Sequence, residues 1–140
     1  GSTVNHQYSK SFAFEKDFRN YVKSYISDDF NYFSLLRPIN ELQIAKIFSR
    51  NPKYFPVFKS CNVGSKTDSW CGRCPKCLFT WIILSPFLDQ QTLIGIFGKN
   101  LLDDLELIPV FDQLIGKAET KPFECVGTVE EIYVALNFLL

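Results

Sequence analysis

The sequence predicts a mainly α domain fastened by a metal ion, and three observations carry that expectation. Four cysteines, Cys61, Cys71, Cys74 and Cys77, stand in metal-ligand spacing, the last three as Cys-Gly-Arg-Cys-Pro-Lys-Cys. Apolar residues recur at every third and fourth position along much of the chain, the period of a helix with one buried face. Helix starts and stops, from Asn40 to Gly116 and Thr128, punctuate those stretches.

From Ser11, Phe14, Phe18, Tyr21, Val22, Tyr25 and Ile26 share a stripe, with Glu15, Lys16, Arg19 and Lys23 between them, which predicts an amphipathic helix. Asp28 and Asp29 end it. Tyr32 to Leu36 is short, aromatic and aliphatic and is bounded by Pro38, a pattern that predicts a strand or extended segment. Asn40 is placed to cap a helix through about Ser49, with Leu42, Ala45 and Phe48 on one face. Pro52 and Pro56 bracket a turn.

Pro75 to Leu84 is apolar nearly all round and predicts the most deeply buried helix. Asp89 caps the next, which runs to Phe97 and stops at Gly98. Leu105 to Ile115 reads as another, ended by Gly116. Lys117 to Gly127 is an extended connection. Thr128-Val-Glu-Glu131 is a capping box that opens a last helix, whose stripe is Ile132, Ala135, Leu136 and Leu139. Gly1-Ser2 reads as a cloning scar, with the natural protein expected to begin upstream, and residues 3–140 as a single domain.

The cysteine spacing predicts a tetrahedral all-thiolate site of the kind zinc favours. Cys74 and Cys77 are three apart and share a helix face, and the positive helix N-terminus favours their ionisation. Arg73 and Lys76 offset the charge of four thiolates, and Gly72 suits a left-handed bend between them. An iron–sulfur cluster, disulfides and unligated thiols are the alternatives. The ferredoxin pattern has a fourth downstream cysteine followed by Pro, which this chain lacks.

Fifteen basic residues balance fifteen acidic ones, which argues against a nucleic-acid binder that relies on phosphate neutralisation. The apolar run at Trp81 is about half the ~20 residues of a membrane span. Five cysteines, four of them in metal spacing, suit a reducing cytoplasm better than a secreted disulfide framework.

Val4 to Ser11 with Phe14-Glu15, Tyr32-Phe-Ser-Leu-Leu-Arg-Pro38 with Glu41-Leu42, Ser60-Cys-Asn62, Trp70 to Cys77, Phe97-Gly-Lys-Asn-Leu-Leu-Asp-Asp104 and Lys121-Pro-Phe-Glu-Cys-Val-Gly127 form a set of stretches. Taken together, they resemble the C-terminal part of MurL-type epimerases. The resemblance implies ATP- and magnesium-dependent inversion of the terminal L-glutamate of UDP-N-acetylmuramoyl-L-alanyl-L-glutamate, for peptidoglycan synthesis. It also implies that this helical domain is the C-terminal portion of a larger α/β, Rossmann-like PP-loop protein. No Gly-rich phosphate loop is present, so the nucleotide-binding half is expected upstream, and the fragment alone is expected to be inactive. The cysteine pattern also resembles PP-loop enzymes of deazaguanine or tRNA modification. A non-catalytic zinc-ribbon interaction module is a third reading.

Inverting a glutamate α-carbon requires a weakly acidic proton to leave one face and return on the other. Activating the carboxylate with ATP as an acyl-adenylate acidifies that carbon, and placed groups must then move the proton. Cys125, outside the metal set, and Glu124 beside it are candidates, and His6, the only histidine, is a third. Each has a plain alternative: a buried inert thiol, a solvated charge, a surface histidine. Lys10, Arg37 and Lys121 are candidates to grip the carboxylates or phosphates of the UDP-muramoyl-dipeptide, or else surface charges.

Overall fold

The structure is a computed structural model that describes residues 8–139, and every regular element among them is helical. The described residues divide into two units with the boundary between Pro38 and Ile39, inside the span read from sequence as one domain.

In the first unit, a 3-10 turn at Tyr8–Lys10 leads into α1, Phe12–Tyr25. Ser11 caps it as its side chain accepts the Phe14 amide at 3.1 Å. The apolar stripe becomes a ladder of rings: Tyr8 on Phe14, Phe14 on Phe18, and Phe18 edge-on to Tyr32, with centroids 5.9, 5.7 and 4.9 Å apart. Tyr32 to Leu36 is not a strand. It runs without regular structure into a turn, closed by the Arg37 amide on the Ser34 carbonyl at 3.2 Å. The Ser34 amide is taken instead by the Glu15 carboxylate at 2.9 Å, so the segment's hydrogen bonding goes to a helix side chain rather than to a ladder.

The second unit is built around α3, Pro75–Leu84. Eight of its residues are buried, whereas no other helix among the described residues buries more than two. At about 1.5–3 kcal/mol per fully buried large apolar side chain, Leu78, Phe79, Trp81, Ile82, Ile83 and Leu84 make α3 the hub of this unit. It packs against α2 (Glu41–Ser49), α4 (Gln90–Phe97), α5 (Ile108–Leu114) and α6 (Val129–Asn137).

The caps expected from sequence are formed. Asn40 and Gln43 exchange reciprocal bonds at the start of α2, Asp89 accepts the Thr92 amide at 2.9 Å, and Thr128 and Glu131 close a capping box on α6. Gly98 ends α4 with φ 85°, the left-handed conformation that favours glycine. The helix expected over Leu105 to Ile115 is instead two pieces, a 3-10 turn at Leu105–Leu107 and then α5. Pro109 is the cause: it has no N–H to donate back to the preceding turn, so it fits only the first positions of a helix, where α5 begins.

A chain of aromatic contacts crosses this unit. Phe48 of α2 meets Phe58, Phe58 meets Trp70, and Trp70 and Trp81 both meet Phe97, with centroids 4.6–5.4 Å apart. Trp70 adjoins Cys71, so the core reaches the cysteine knuckle without a break.

Candidate metal centre and adjoining cavity

The knuckle forms where a loop meets the start of α3. Cys74 is the N-cap residue, with φ −91° and ψ 163°, and Pro75 opens the helix without a wasted amide. Gly72 takes φ 66°, which turns Cys71 back toward the helix. On the far side, Cys61 is followed by a tight 3-10 turn at Gly64–Thr67. The Gly64 amide donates to the Cys61 sulfur at 3.2 Å, and the Cys71 amide does so at 3.5 Å. A side chain at Gly64 would strike the Ser69 carbonyl, 1.9 Å from where its Cβ would lie.

The four sulfurs converge. Cys61 and Cys74 are 3.7 Å apart, Cys71 and Cys77 3.7 Å, and Cys74 and Cys77 3.5 Å, and all four lie within 4.8 Å of one another. A tetrahedral zinc with Zn–S bonds of about 2.3 Å sets its sulfurs about 3.8 Å apart, so the quartet has the dimensions of one shared ion. None of the five cysteines is in a disulfide, and the distances far exceed the ~2.05 Å of one. A polynuclear iron–sulfur cluster would spread the sulfurs over separate irons.

Cys61, Cys74 and Cys77 are buried and Cys71 is partly so. Cys74 is poised to ionise first: contact with the Cys77 sulfur pushes its pKa down to about 5, against the cost of burial and with help from the Cys77 amide. Cys77 is driven up by that same contact, and Cys71 by burial. A bound dication displaces these protons. Lys76 reaches over to Asn62, its Nζ donating to Oδ1 at 3.0 Å, which ties the first turn of α3 to the residue after Cys61.

Beside the centre, a cavity of about 260 Å3 opens between α2 and α3. Its walls include Ala45, Phe48, Phe58, Phe79 and Ile83; Glu41, Ser60, Lys76, Thr80 and Cys125 add the polar groups. The cavity therefore shares Lys76 with the knuckle.

Cys125 is exposed and lines this cavity, so the buried-thiol alternative does not describe it. Glu124 is half-buried. Burial, followed by the negative charge of Cys74, raises its carboxyl above the usual carboxylate range, against the Lys76 amide and side chain. Its Oε2 is buried without a hydrogen-bond partner. Lys121 organises the turn that carries both residues: its Nζ donates to the carbonyls of Val126, at 3.4 Å, and Gly127. The Val126 amide also closes back on the Glu124 carbonyl at 2.9 Å. Lys121 is thus a clasp on the turn that carries Glu124 and Cys125, reaching carbonyls five and six residues on.

Lys10 and Arg37 belong to the first unit. Arg37 donates through Nε to Glu15 Oε2 at 2.9 Å, with its Nη2 in an ion pair with the same oxygen at 2.9 Å, and through Nη1 to the Lys10 carbonyl at 3.0 Å. Glu15 is only 4% exposed. The Arg37 guanidinium is therefore committed to neutralising a buried carboxylate, which gives it a structural role. His6 lies outside the described residues, as do Gly1 and Ser2.

A family model described as the MurL C-terminal domain matches residues 57–140. The chain belongs to the MurL family. A MurL N-terminal domain model matches residues 1–35, so the two family domains fall on either side of the boundary between the structural units. All four knuckle cysteines, the cavity-lining α3 and the Lys121–Gly127 turn lie in the C-terminal MurL span; Lys10 lies in the N-terminal one.

Three curated relatives carry the name UDP-N-acetyl-alpha-D-muramoyl-L-alanyl-L-glutamate epimerase. The protein from Xanthomonas oryzae pv. oryzae is 43% identical over 97% of this chain and 32% of its own length. Those from Micromonospora sp. and Salinispora tropica are each 41% identical over 99% of this chain, and over 32% and 31% of their own lengths. The MurL chain thus spans about a third of the length of these relatives. No solved structure matches it.

Proposed function

We propose that this MurL chain is part of an ATP-dependent epimerase that inverts the terminal L-glutamate of UDP-N-acetylmuramoyl-L-alanyl-L-glutamate to D-glutamate in peptidoglycan synthesis. The family match and the name shared by three relatives support the reaction, and they favour neither a nucleobase-modifying enzyme nor a non-catalytic zinc module. The observation that supports the site assignment is the Lys121-clasped turn, on which Cys125 lines a cavity against the metal-pinned helix and Glu124, its neighbour in sequence, feels Cys74 and Lys76.

In this proposal ATP, with magnesium, supplies activation of the glutamate carboxylate, which removes its negative charge and acidifies the neighbouring carbon. Glu124 and Cys125 are the proton-exchange pair: one accepts the α-proton and the other returns a proton to the opposite face. Lys121 holds their turn in place. Phosphate binding falls to the remainder of the longer protein. Cys61, Cys71, Cys74 and Cys77 hold zinc in a closed, four-thiolate site whose role is structural, because no ligand position is left open for chemistry. A reducing cytoplasm suits five cysteines outside any disulfide and a UDP-linked precursor. No helix among the described residues is long and apolar enough to cross a membrane.

The test uses a protein of the relatives' full length that carries this sequence. Incubation with ATP and UDP-N-acetylmuramoyl-L-alanyl-L-glutamate, followed by hydrolysis and chiral analysis, should yield D-glutamate. In deuterated water, Cys125→Ser and Glu124→Gln should each lower label incorporation at the α-carbon by at least about 100-fold, the contribution typical of a placed acid or base. Wild-type incorporation in both variants overturns the assignment of the pair, and absence of D-glutamate from the unmodified protein overturns the reaction.

A further inference from the structure

Lys99 has no part in the proposed proton transfer, yet it lies on the cysteine knuckle. A methyl group built on Gly72 would sit 3.1 Å from the Lys99 Cε and 3.9 Å from its Nζ, so the lysine stem crosses the turn between Cys71 and Cys74. Its ammonium is paired with the Asp104 carboxylate. Asp104 is itself fixed, accepting the Glu106 amide at 3.1 Å as it caps the turn at Leu105–Leu107, and Lys99 holds its carboxyl below the usual range. The neighbouring Asn100 and Asp103 bond to each other at 2.7 Å, and Leu101, which also approaches Gly72, is buried at 1% exposure. The cation therefore stands on a loop braced at both ends.

A divalent ion with four thiolates carries a net charge of −2. Backbone amides aimed at the sulfurs offset part of that excess, but an amide is only a dipole. An ammonium with its Nζ 3.9 Å from the Cβ position of Gly72 adds to them, although the Asp104 carboxylate that holds it there neutralises part of its charge. We propose that Lys99, positioned by Asp104, is the electrostatic counterweight of the four-thiolate centre and retards loss of its metal ion. This rests on the reading that the quartet binds a metal. It explains why Gly72 carries no side chain beyond its need for a positive φ: a larger residue would push the lysine off the knuckle. It also gives a role to Gly98-Lys-Asn-Leu-Leu-Asp-Asp104, a stretch the epimerisation chemistry leaves unused.

The experiment follows metal release from this chain loaded with zinc or cobalt(II). With a colorimetric chelator in excess, Lys99→Met should release zinc about 2- to 5-fold faster, the scale of a half-exposed charge interaction. Asp104→Asn should give a smaller increase, and Lys99→Arg should restore slow release. In the cobalt protein, loss of the cation should move the thiolate-to-metal charge-transfer band to lower energy, because electrons on the sulfurs are then less stabilised. A purely structural lysine would not move that band. Unchanged release and an unchanged band in Lys99→Met, with metal bound in the unmodified chain, overturn the role of Lys99 alone. An unmodified chain that takes up neither metal overturns the centre and with it this role. Should Lys99→Met not fold, Asp104→Asn carries the test, and a release rate in it equal to the parent's overturns the role.

Discussion

Glu131 Oε1 accepts the backbone amide of Glu41 at 2.8 Å, a bond between residues 90 apart in sequence. Its other oxygen accepts the Thr128 amide at 2.8 Å. One carboxylate thus closes the N-termini of α6 and α2 together, at positions where the helix dipoles favour negative charge. Glu41 also lines the cavity, so this bond sets one of its edges.

Glu131→Ala removes both acceptors. At about 1 kcal/mol for each lost cap, the variant should be roughly 2 kcal/mol less stable, read as a lower urea midpoint with an unchanged slope. Glu131→Gln, which keeps one acceptor oxygen, should lose about half as much.

Gly127 leaves no room for a methyl group. Its Cβ would lie 2.5 Å from Glu131 Oε2 and 2.7 Å from two ring carbons of Phe79. Gly127→Ala should destabilise by about 1–3 kcal/mol, the usual cost of overpacking. Because Lys121 grips the Gly127 carbonyl, the same change should alter the rate of Cys125 alkylation, measured by mass spectrometry.

The fold was legible wherever the signal was local. Asn40, Asp89 and Thr128 announce their helices because a cap acts within three residues, and Pro75 and Gly98 mark a start and a stop by backbone chemistry alone. The cysteine quartet is legible for a similar reason: three of its members sit on one turn. Tyr32 to Leu36 misleads because its aromatic, aliphatic composition suits a strand, while its conformation is decided by Glu15, 19 residues away from Ser34. The single helix expected over Leu105 to Ile115 overlooks the missing amide of Pro109. In the site, Lys121 and Lys99 are the residues whose parts could not be read. Lys121 folds back on its own turn and Lys99 on the knuckle loop, and no spacing rule records either.

The knuckle should hold one metal ion per chain, measurable by elemental analysis of the purified protein. Cys77→Ser should lose it. With free zinc a thousandfold above the Kd, bound metal adds about 4 kcal/mol, so a strong chelator should lower the Tm of the parent and leave that of Cys77→Ser unchanged.

Glu15 predicts an acid limb. The Ser34 amide and then the Arg37 guanidinium hold its carboxyl below the ordinary value of 4.5, against the effect of burial. A group with a depressed folded pKa stabilises fully above its unfolded value, and that contribution fades as pH falls from 4.5 through the folded one. Acid titration of the Tm should therefore be shallower for Glu15→Gln over that window, and the variant should be less stable than the parent at neutral pH.

The chain has two tryptophans, and both indoles rest on the ring of Phe97. Trp70 touches the loop that leads into the knuckle, and Trp81 is the centre of α3. Ultraviolet emission from this protein is therefore a built-in gauge of one neighbourhood: if the sulfurs let go, Trp70 meets water and its fluorescence shifts to the red, with no dye or label added.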